Sequence, residues 1–106
     1  MYELDPRYDS RKSFYGKAMI KEESHSGEHG ETRQFSLYSY NTLVATITYF
    51  YIDGKKTINY VYYGKYSQTT TRHQKEFFKQ HGLNDKQIKE LFKNGQMEVQ
   101  AWKNIL

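Results

Sequence analysis

Residues 36–81 read SLYSYNTLVATITYFYIDGKKTINYVYYGKYSQTTTRHQKEFFKQH, and this stretch decides the fold class. Its first part alternates aromatic or aliphatic residues with polar ones, which is the period-two pattern of strands that bury one face. Asp53-Gly54 separates two such segments and is a strong hairpin signal, because a type I′ turn needs positive φ at both central residues. The stretch therefore predicts a hairpin of residues 42–52 and 55–63.

The sequence before this hairpin predicts two more antiparallel strands. Residues 14–22 alternate loosely, and residues 32–40 alternate well. Between them the segment SHSGEHGE, residues 24–31, is small, polar and glycine-bearing, and we expect it to form a loop. Residues 1–13 contain the only proline and show no sustained period, so we expect an irregular or short helical lead-in.

After the hairpin the hydrophobic period changes to that of a helix. Ser67 and the threonines that follow it crowd a helix start. Thr71 and Gln74 fit the spacing of a capping box, but the sequence leaves open which threonine caps the helix. Gly82 is a good C-terminal stop for this first helix.

A second helix follows at once and is capped by Asn84 or Asp85. Its apolar residues recur at i, i+3 and i+4, and Asn94-Gly95 ends it. These apolar residues are Ile88, Leu91 and Phe92. Residues 96–106 alternate as a strand does, while the spacing of three apolar residues also suits a helix; we favour a short fifth strand.

Together these elements predict an α+β fold: a twisted antiparallel sheet of four or five strands with two helices packed on one face. We expect a single domain over residues 1–106, with the sheet at about 14–63, the helices at about 70–94 and a short C-terminal element at 96–106. One sheet face is expected to pack on the helices. The other is expected to display part of the tyrosine set between threonine and asparagine.

Composition and charge limit the class of protein. The absence of cysteine excludes disulfides, thiolate metal sites and cysteine nucleophiles. The N-terminus lacks the apolar core of a signal peptide, and no apolar run is long enough to span a bilayer, so we expect a cytoplasmic protein without a membrane partner. Residues 1–53 carry a net charge of −2 and residues 54–106 one of +6. The basic half suits a polyanion or an acidic protein surface, although a solvated helical face fits it equally well.

Two groups of residues have the composition of a metal or nuclease site, but they lie in segments that we expect to be a loop and a tight turn. His25 and His29 lie four apart among glutamates, and a helix would place both imidazoles on one face. The neighbouring glycines indicate a loop instead, and we predict no metal site. Asp53 and Lys55 resemble the end of a nuclease motif, but they fall in the tightest turn of a hairpin. We predict that the chain is not an enzyme and needs no cofactor.

A third group lies at the start of the first helix. Arg72 and His73 stand beside three threonines, where free backbone N–H groups could bind an anion. Plain helix capping, with His73 packed behind it, is the interpretation we favour.

The segments LYSYNTLVA, residues 37–45, and YSQTTTRHQKEFFKQHG, residues 66–82, resemble a group of small proteins from phages and plasmids. In that group a tyrosine-serine-tyrosine-polar-threonine turn precedes a helix start of the form tyrosine-serine-x-threonine-threonine-x-arginine-histidine. The resemblance implies a mobile-element origin. Small phage proteins without catalytic residues are often inhibitors of host defences, such as anti-CRISPR proteins.

Our leading hypothesis is a non-catalytic inhibitor of a host defence nuclease, most plausibly a Cas effector. It would act in the host cytoplasm as a monomer or homodimer, by steric or allosteric blocking. Tyrosine supplies rigid contact area at low entropic cost, so a tyrosine-bearing sheet face suits such a partner. The residues assigned to this surface are Tyr38, Tyr40, Tyr60, Tyr62 and Tyr63.

The alternative is a small basic protein that binds DNA or RNA through its lysine-rich helix pair. The spacing from Phe77 to Leu91 is similar to that of a helix-turn-helix, except that Phe78 stands where a small residue is usual. The residues assigned to this function are Arg72, Lys75, Lys79, Lys86, Lys89 and Lys93. A third possibility is an assembly protein that associates with itself through its tyrosine face.

Overall fold

The computed structural model describes residues 1–102 and contains one antiparallel sheet and two helices. The strands are β1 Tyr2–Glu3, β2 Ala18–Gly27, β3 Gly30–Ser39, β4 Thr42–Ile52, β5 Lys55–Tyr62 and β6 Gln96–Trp102, and the helices are α1 Gln68–Gln80 and α2 Asp85–Asn94. Strand order in the sheet follows strand order in the sequence, with both helices inserted between β5 and β6. The predicted α+β class is confirmed, with six strands in place of four or five.

The hairpins show where turn residues did and did not locate the strand ends. Asp53 and Gly54 have φ of 51° and 79°, as a type I′ turn requires. The predicted loop at residues 24–31 is wrong, because β2 and β3 pair continuously from Ser24 opposite Arg33 to Gly27 opposite Gly30. Backbone hydrogen bonds carry this extension without a hydrophobic face, so alternating apolar residues could not reveal it.

The N-terminal segment is mostly irregular, which is one of the two alternatives that we expected, but it begins with a short edge strand that we did not predict and continues as a strap over α1, residues 5–17. β1 pairs with β2, and the backbone N–H of Leu4 donates to the carbonyl of Ala18. Leu4 and Phe14 are both 5% exposed and join the core. Residues 5–13, between these two core residues, therefore lie against the helical layer.

The inner face of the sheet packs on both helices, as predicted. From the sheet, Leu37, Ala45 and Ile47 are fully buried. Phe92 is half-buried at the margin of the helical side, where it packs against the core. The fully or almost fully buried residues on that side are Phe77, Phe78, Ile88 and Leu91. Phe78 thus fills space beneath the helices, at the position where a helix-turn-helix has a small residue.

The outer face of the sheet is polar and carries fewer tyrosines than we expected. Its cross-strand pairs include Thr48 opposite Asn59 and Ser36 opposite Thr46. Tyr38 lies on this face, opposite Met19. The tyrosines of β4 and β5 instead share the inner face, because their partners across the ladder are core residues. Tyr60 pairs with Ile47, and Tyr62 with Ala45.

Side chains cap both helices. Ser67, not one of the threonines, caps α1: its Oγ accepts the N–H of Thr70 at 3.1 Å. Asn84 caps α2 and forms a full capping box with Gln87. Gly95 ends α2 in the left-handed conformation, with φ of 85°, as its position predicted.

The C-terminal element is a strand over its described part. β6 pairs with β5 from Gln96 opposite Val61 to Trp102 opposite Lys55. The strand alternative for residues 96–106 is thereby confirmed to residue 102, and the rest of that prediction lies outside the described residues. Within residues 1–102, neither helix has the length and apolar character needed to cross a bilayer.

Candidate functional site

The two tyrosines of β5 that we assigned to a partner surface belong to the interior. Tyr60 is 2% exposed, and its hydroxyl donates to the carbonyl oxygen of His81 at 2.8 Å. Burial raises its pKa well above the usual value. Tyr62 is half-buried and stacks on Phe92, with ring centroids 4.2 Å apart. Neither ring is placed to meet a partner, because both fill the space between sheet and helices.

The other three predicted tyrosines lie in two separate places. Tyr38 is half-buried on the outer sheet face. Tyr40 and Tyr63 are 51% and 46% exposed, at the end of the sheet where α1 begins. Tyr15 and Tyr66 are also exposed at this end. The five predicted residues therefore do not form one surface.

The two motif segments that carry the phage-protein resemblance meet in a buried joint. Ser39 ends β3, and its Oγ lies 2.9 Å from the Oγ1 of Thr70 and 2.8 Å from the Nδ1 of His73. All three side chains are at most 4% exposed. The joint ties the first turns of α1 to the sheet, so much of the shared pattern serves to place the helix.

His73 in this joint is packed, as we favoured from the sequence. Phe14 contacts its ring edge-on, with centroids 4.6 Å apart. Burial lowers the pKa of His73 to about 4. Two nearby charges have smaller effects: Asp9 raises this pKa and Arg11 lowers it. The geometry differs from that of a serine nucleophile, in which histidine faces serine through Nε2 and an acid through Nδ1. Here Nδ1 faces Ser39, and we interpret the contact as structural.

Two tight turns above the joint each present a tyrosine in the left-handed backbone region. Tyr15 has φ of 53° and precedes Gly16, and Tyr40 has φ of 50° and precedes Asn41. The turns are joined, because the N–H of Tyr40 donates to the carbonyl of Lys17 at 2.9 Å. Positive φ is rare and costly for a bulky residue. Both tyrosines thus occupy positions that glycine or asparagine would fill more easily.

A cavity of about 160 Å³ lies between these turns and the start of α1. Tyr15 and Tyr40 line it together with three cationic side chains, and its lining contains no carboxylate. The Nζ of Lys17 lies over the ring of Tyr40, 5.9 Å from its centroid. The three cations are Arg11, Lys17 and Arg72. This cavity (the tyrosine cavity below) therefore has the chemistry of an anion site with aromatic walls.

The six basic residues assigned to nucleic acid lie on the solvent side of the helical layer. On each helix three of them stand at i, i+3 and i+7, which places them along one face. Five are exposed, and Lys79 is half-buried and pairs with Asp85 at 3.1 Å. Within residues 1–102 the others have no acidic partner, except that Arg72 lies 3.9 Å from Asp9. The residues of this basic face are Arg72, Lys75 and Lys79 on α1 and Lys86, Lys89 and Lys93 on α2.

A groove of about 600 Å³ runs between the two helices within this basic face. Lys75, Lys86 and Lys89 line it, and Phe92 forms part of an apolar floor. A smaller depression, of about 210 Å³, is lined by both Arg72 and Lys75, and Arg72 also lines the tyrosine cavity. The depression is also lined by the carboxylates of Asp9 and Glu76, and the groove by that of Asp85. The tyrosine cavity, the depression and the groove therefore adjoin one another through shared cations, with carboxylates between them.

The histidine segment and the Asp53 turn do not assemble a metal site. His25 lies on β2 and His29 in the turn that follows, both exposed. In the part of the chain that the structure describes, no three carboxylate or imidazole side chains are grouped to hold a metal ion. A cleft of about 690 Å³ beside them is lined by acidic and basic side chains together, so it favours no one ligand charge.

Residues 2–94 match the profile of a family of unknown function, DUF8033. The chain belongs to this family. No curated protein and no solved structure matches it. Membership in DUF8033 assigns no activity, so the mobile-element origin and every function stay proposals that must be argued from the surfaces described above.

In this DUF8033 chain, sequence reasoning identified the basic face but missed the tyrosine cavity. Arg11, Tyr15 and Lys17 come from a segment without a sustained period. The predicted strand start at residue 14 is wrong, because β2 begins at Ala18 and residues 14–17 form a turn. Tyr15-Gly16 was the one available signal, because glycine at the second position is typical of a tight turn. The other lining residues could not be predicted to lie together, because residues as far apart in sequence as Tyr15 and Arg72 meet only through tertiary packing.

Proposed function

We propose that the protein is a small, non-enzymatic nucleic-acid-binding protein that contacts the phosphate backbone through its basic face. The observation that carries the proposal is the arrangement of cations on the two helices. Lys75, Lys86, Lys89 and Lys93 have no acidic partner within residues 1–102. Three of these four side chains converge on one groove. Unpaired cations along a groove are what binding to a phosphate chain needs, because affinity comes largely from the release of condensed counterions.

The test is fluorescence anisotropy of labelled duplex and single-stranded DNA and RNA, titrated at low and near-physiological salt. We expect binding that weakens steeply with salt, with a log–log slope of about −3 to −4 if four lysines neutralise phosphates. Exchanging Lys86 and Lys89 for glutamine should make the slope shallower by about two. Exchanging both for glutamate should abolish binding, since repulsion then replaces attraction.

The matched control compares Lys86→Glu with Lys21→Glu, which makes the same charge change on β2. Lys21 is exposed and lies 3.9 Å from Glu23, away from the helices. We expect Lys86→Glu to weaken binding several-fold more than Lys21→Glu. Equal losses would show that net charge alone drives association, and would contradict a binding face on the helices.

A second proposal is the anti-CRISPR-like inhibitor of a host defence nuclease, favoured by the exposed tyrosines at one end of the sheet. Of the five tyrosines assigned from the sequence, its surface would draw on Tyr40 and Tyr63, which are exposed at that end. Truncating Tyr60 or Tyr62 cannot test it, because their loss would disturb the core. An inhibitor of a Cas effector that works through these tyrosines should keep its activity when Lys86 and Lys89 are both glutamate. Loss of that activity would favour the nucleic-acid proposal.

A further inference from the structure

We propose that the tyrosine cavity binds one unpaired nucleotide of a single-stranded nucleic acid, whose backbone continues along the basic face. The inference rests on the proposed nucleic-acid function and specifies its ligand. It assigns base contact to Tyr15 and Tyr40 and phosphate contact to the cations beside them. Neither tyrosine is part of the basic face. An experiment can therefore contradict the nucleotide site in the cavity without contradicting nucleic-acid binding by the basic face.

The first argument is the choice of residue in the two turns. At the opposite end of the sheet the chain uses Asp53-Gly54, which adopts positive φ at little cost. At the cavity, tyrosine takes the first positive-φ position in both turns. Turn formation does not explain this choice, and packing explains only part of it, since Tyr15 is 74% exposed. Backbone strain of this kind is often stored at functional sites.

The second argument is the chemistry and size of the cavity. It combines aromatic rings with Arg11, Lys17 and Arg72 and has no carboxylate in its lining. Of these cations only Arg72 has an acidic partner within residues 1–102, and that pair is long, at 3.9 Å. Pockets for drug-sized ligands begin at about 300 Å³. A cavity of about 160 Å³ therefore has room for the base of one nucleotide, whose sugar and phosphate would lie outside it beside the cations.

The third argument is continuity with the basic face. Arg72 lines both the cavity and a depression of about 210 Å³, and Lys75 lines both that depression and the groove. Two carboxylates also line the depression, but Glu76 accepts backbone N–H groups and Asp9 lies 3.9 Å from Arg72. A strand with one nucleotide in the cavity could thus keep its phosphates beside cations. Aromatic side chains for stacking next to a positively charged groove are the usual design of single-strand binding sites.

A single strand fits this arrangement better than a duplex. The bases of a duplex are stacked inside the helix, and a cavity of this size cannot reach them without flipping one out, which costs unpairing energy. Two of the cavity's rings also have contacts before binding, because Phe14 and Tyr40 pack against His73, which is held in the buried joint. Packing of this kind lowers the entropy lost when the site orders a base.

The test replaces both turn tyrosines by asparagine, which tolerates positive φ and preserves the turns. Anisotropy is measured with a labelled 12-nucleotide single strand and with the duplex of the same sequence. We expect the unchanged protein to bind the single strand at least about tenfold more tightly than the duplex. The double variant Tyr15→Asn, Tyr40→Asn should bind the single strand about tenfold more weakly, because it loses a stacked base. Duplex affinity should not change, and chemical unfolding should show equal or higher stability.

Tyr66→Ser is the matched control, because Tyr66 is 54% exposed at the same end of the sheet but does not line the cavity. It should bind both probes as the unchanged protein does. If the asparagine variant keeps full single-strand affinity while the Lys86→Glu, Lys89→Glu variant loses it, the cavity inference is overturned and the nucleic-acid proposal stands. If the unchanged protein binds neither probe at low salt, both are overturned.

A titration with adenosine monophosphate, followed by amide chemical shifts, locates the nucleotide directly. We expect the largest shifts at Tyr40, Thr69 and Arg72, which line the cavity. Shifts confined to α2 would overturn the cavity as the nucleotide site. Displacement of the single strand by polyglutamate at equal charge concentration would show a general polyanion site and would also overturn the inference.

Discussion

His73 near the start of α1 and His81 at its C-terminal end each contact the sheet through the Nδ1 atom of the imidazole. The Nδ1 of His73 lies 2.8 Å from the Oγ of Ser39, and the Nδ1 of His81 lies 2.7 Å from the hydroxyl of Tyr49. Burial lowers the pKa of each imidazole to about 4. Both rings are therefore neutral near neutral pH, and protonating either one opposes the packing of the helix.

We predict that the protein loses stability as the pH falls from about 6.5 toward 4. The unfolded chain takes up a proton on each histidine near pH 6.5, whereas the folded protein does so only near pH 4. Stability is thus complete above the unfolded pKa and declines below it. For His73, which is 1% exposed, the loss at pH 5 is about 2 kcal/mol.

Urea unfolding at pH 7.5 and pH 5.0 measures this loss. The charged groups nearest His73 are Asp9, which favours its protonation, and Arg11, which opposes it. A His73→Asn variant should be less stable at pH 7.5 but less sensitive to pH, because one of the two buried rings is gone. An unchanged pH dependence in this variant would show that His73 titrates normally in the folded protein.

The strap of residues 5–17 is an element without regular structure, and one helix side chain holds it in place. Glu76 on α1 is 2% exposed, and its Oε1 accepts the backbone N–H groups of Tyr8 at 2.8 Å and Asp9 at 2.9 Å. Gln80 donates from one side-chain nitrogen to Glu76 and to the carbonyl of Asp5, both at 2.6 Å. Because Phe14 and Tyr15 belong to the strap and line the tyrosine cavity, this carboxylate also helps to position the cavity.

We predict that Glu76→Ala loosens the strap while leaving the sheet intact. Losing a buried carboxylate that accepts two backbone N–H groups should cost about 2 to 4 kcal/mol, since those donors are left unsatisfied. Hydrogen exchange should accelerate at the backbone amides of Tyr8 and Asp9. Exchange in β4 should change only as much as the global stability of the protein changes. Glu76→Gln is the control: its oxygen can still accept both N–H groups, so it should protect the strap better than alanine does.

Elements with strong local signals could be predicted from the sequence, and elements formed by long-range pairing could not. Asp53-Gly54 and the Asn84 cap act through their own backbone, so their residue types determine the structure. β1 exists only because Tyr2 and Glu3 meet β2, and the polar part of β2 only because β3 runs beside it. The basic face was predictable from helical spacing, whereas the cavity requires residues separated by more than fifty positions.

Face assignment was the other gap between sequence and structure. Period-two alternation showed that Tyr60 and Tyr62 share a face with Ile58, but it did not show on which side the helices pack. The structure places that face inward. The tyrosines of β5 thus became core residues, and the face expected to display them is mostly threonine, serine, asparagine and glutamine.

At the scale of the whole molecule the sheet is open and has two edges. β1 covers the outer edge of β2 only at Met19 and Ile20, so the rest of that edge, on the side away from β3, has no strand beside it within residues 1–102. That exposed edge bears charged side chains, including Lys21 and Glu23, which lie 3.9 Å apart. Charges along an edge strand discourage pairing with a second copy, which would otherwise extend the sheet.

We predict that replacing Lys21 and Glu23 together by valine promotes self-association at an unchanged net charge. Sedimentation velocity should show a dimer or larger species at concentrations where the unchanged protein gives a single smaller one. The control places two valines at Thr57 and Asn59, on a strand paired on both sides. If the control associates equally, apolar area on the face, and not the free edge, is responsible.

The sequential order of the strands also bears on how the chain folds as it is made. Each strand from β2 to β5 pairs with the one just before it, so a ribosome that releases the chain from its N-terminus presents each of these strands to a partner already outside the tunnel. Such pairings have low contact order and form quickly. Only β6 must wait, because α1 and α2 separate it from β5. Its docking should complete folding after the helices have covered the core.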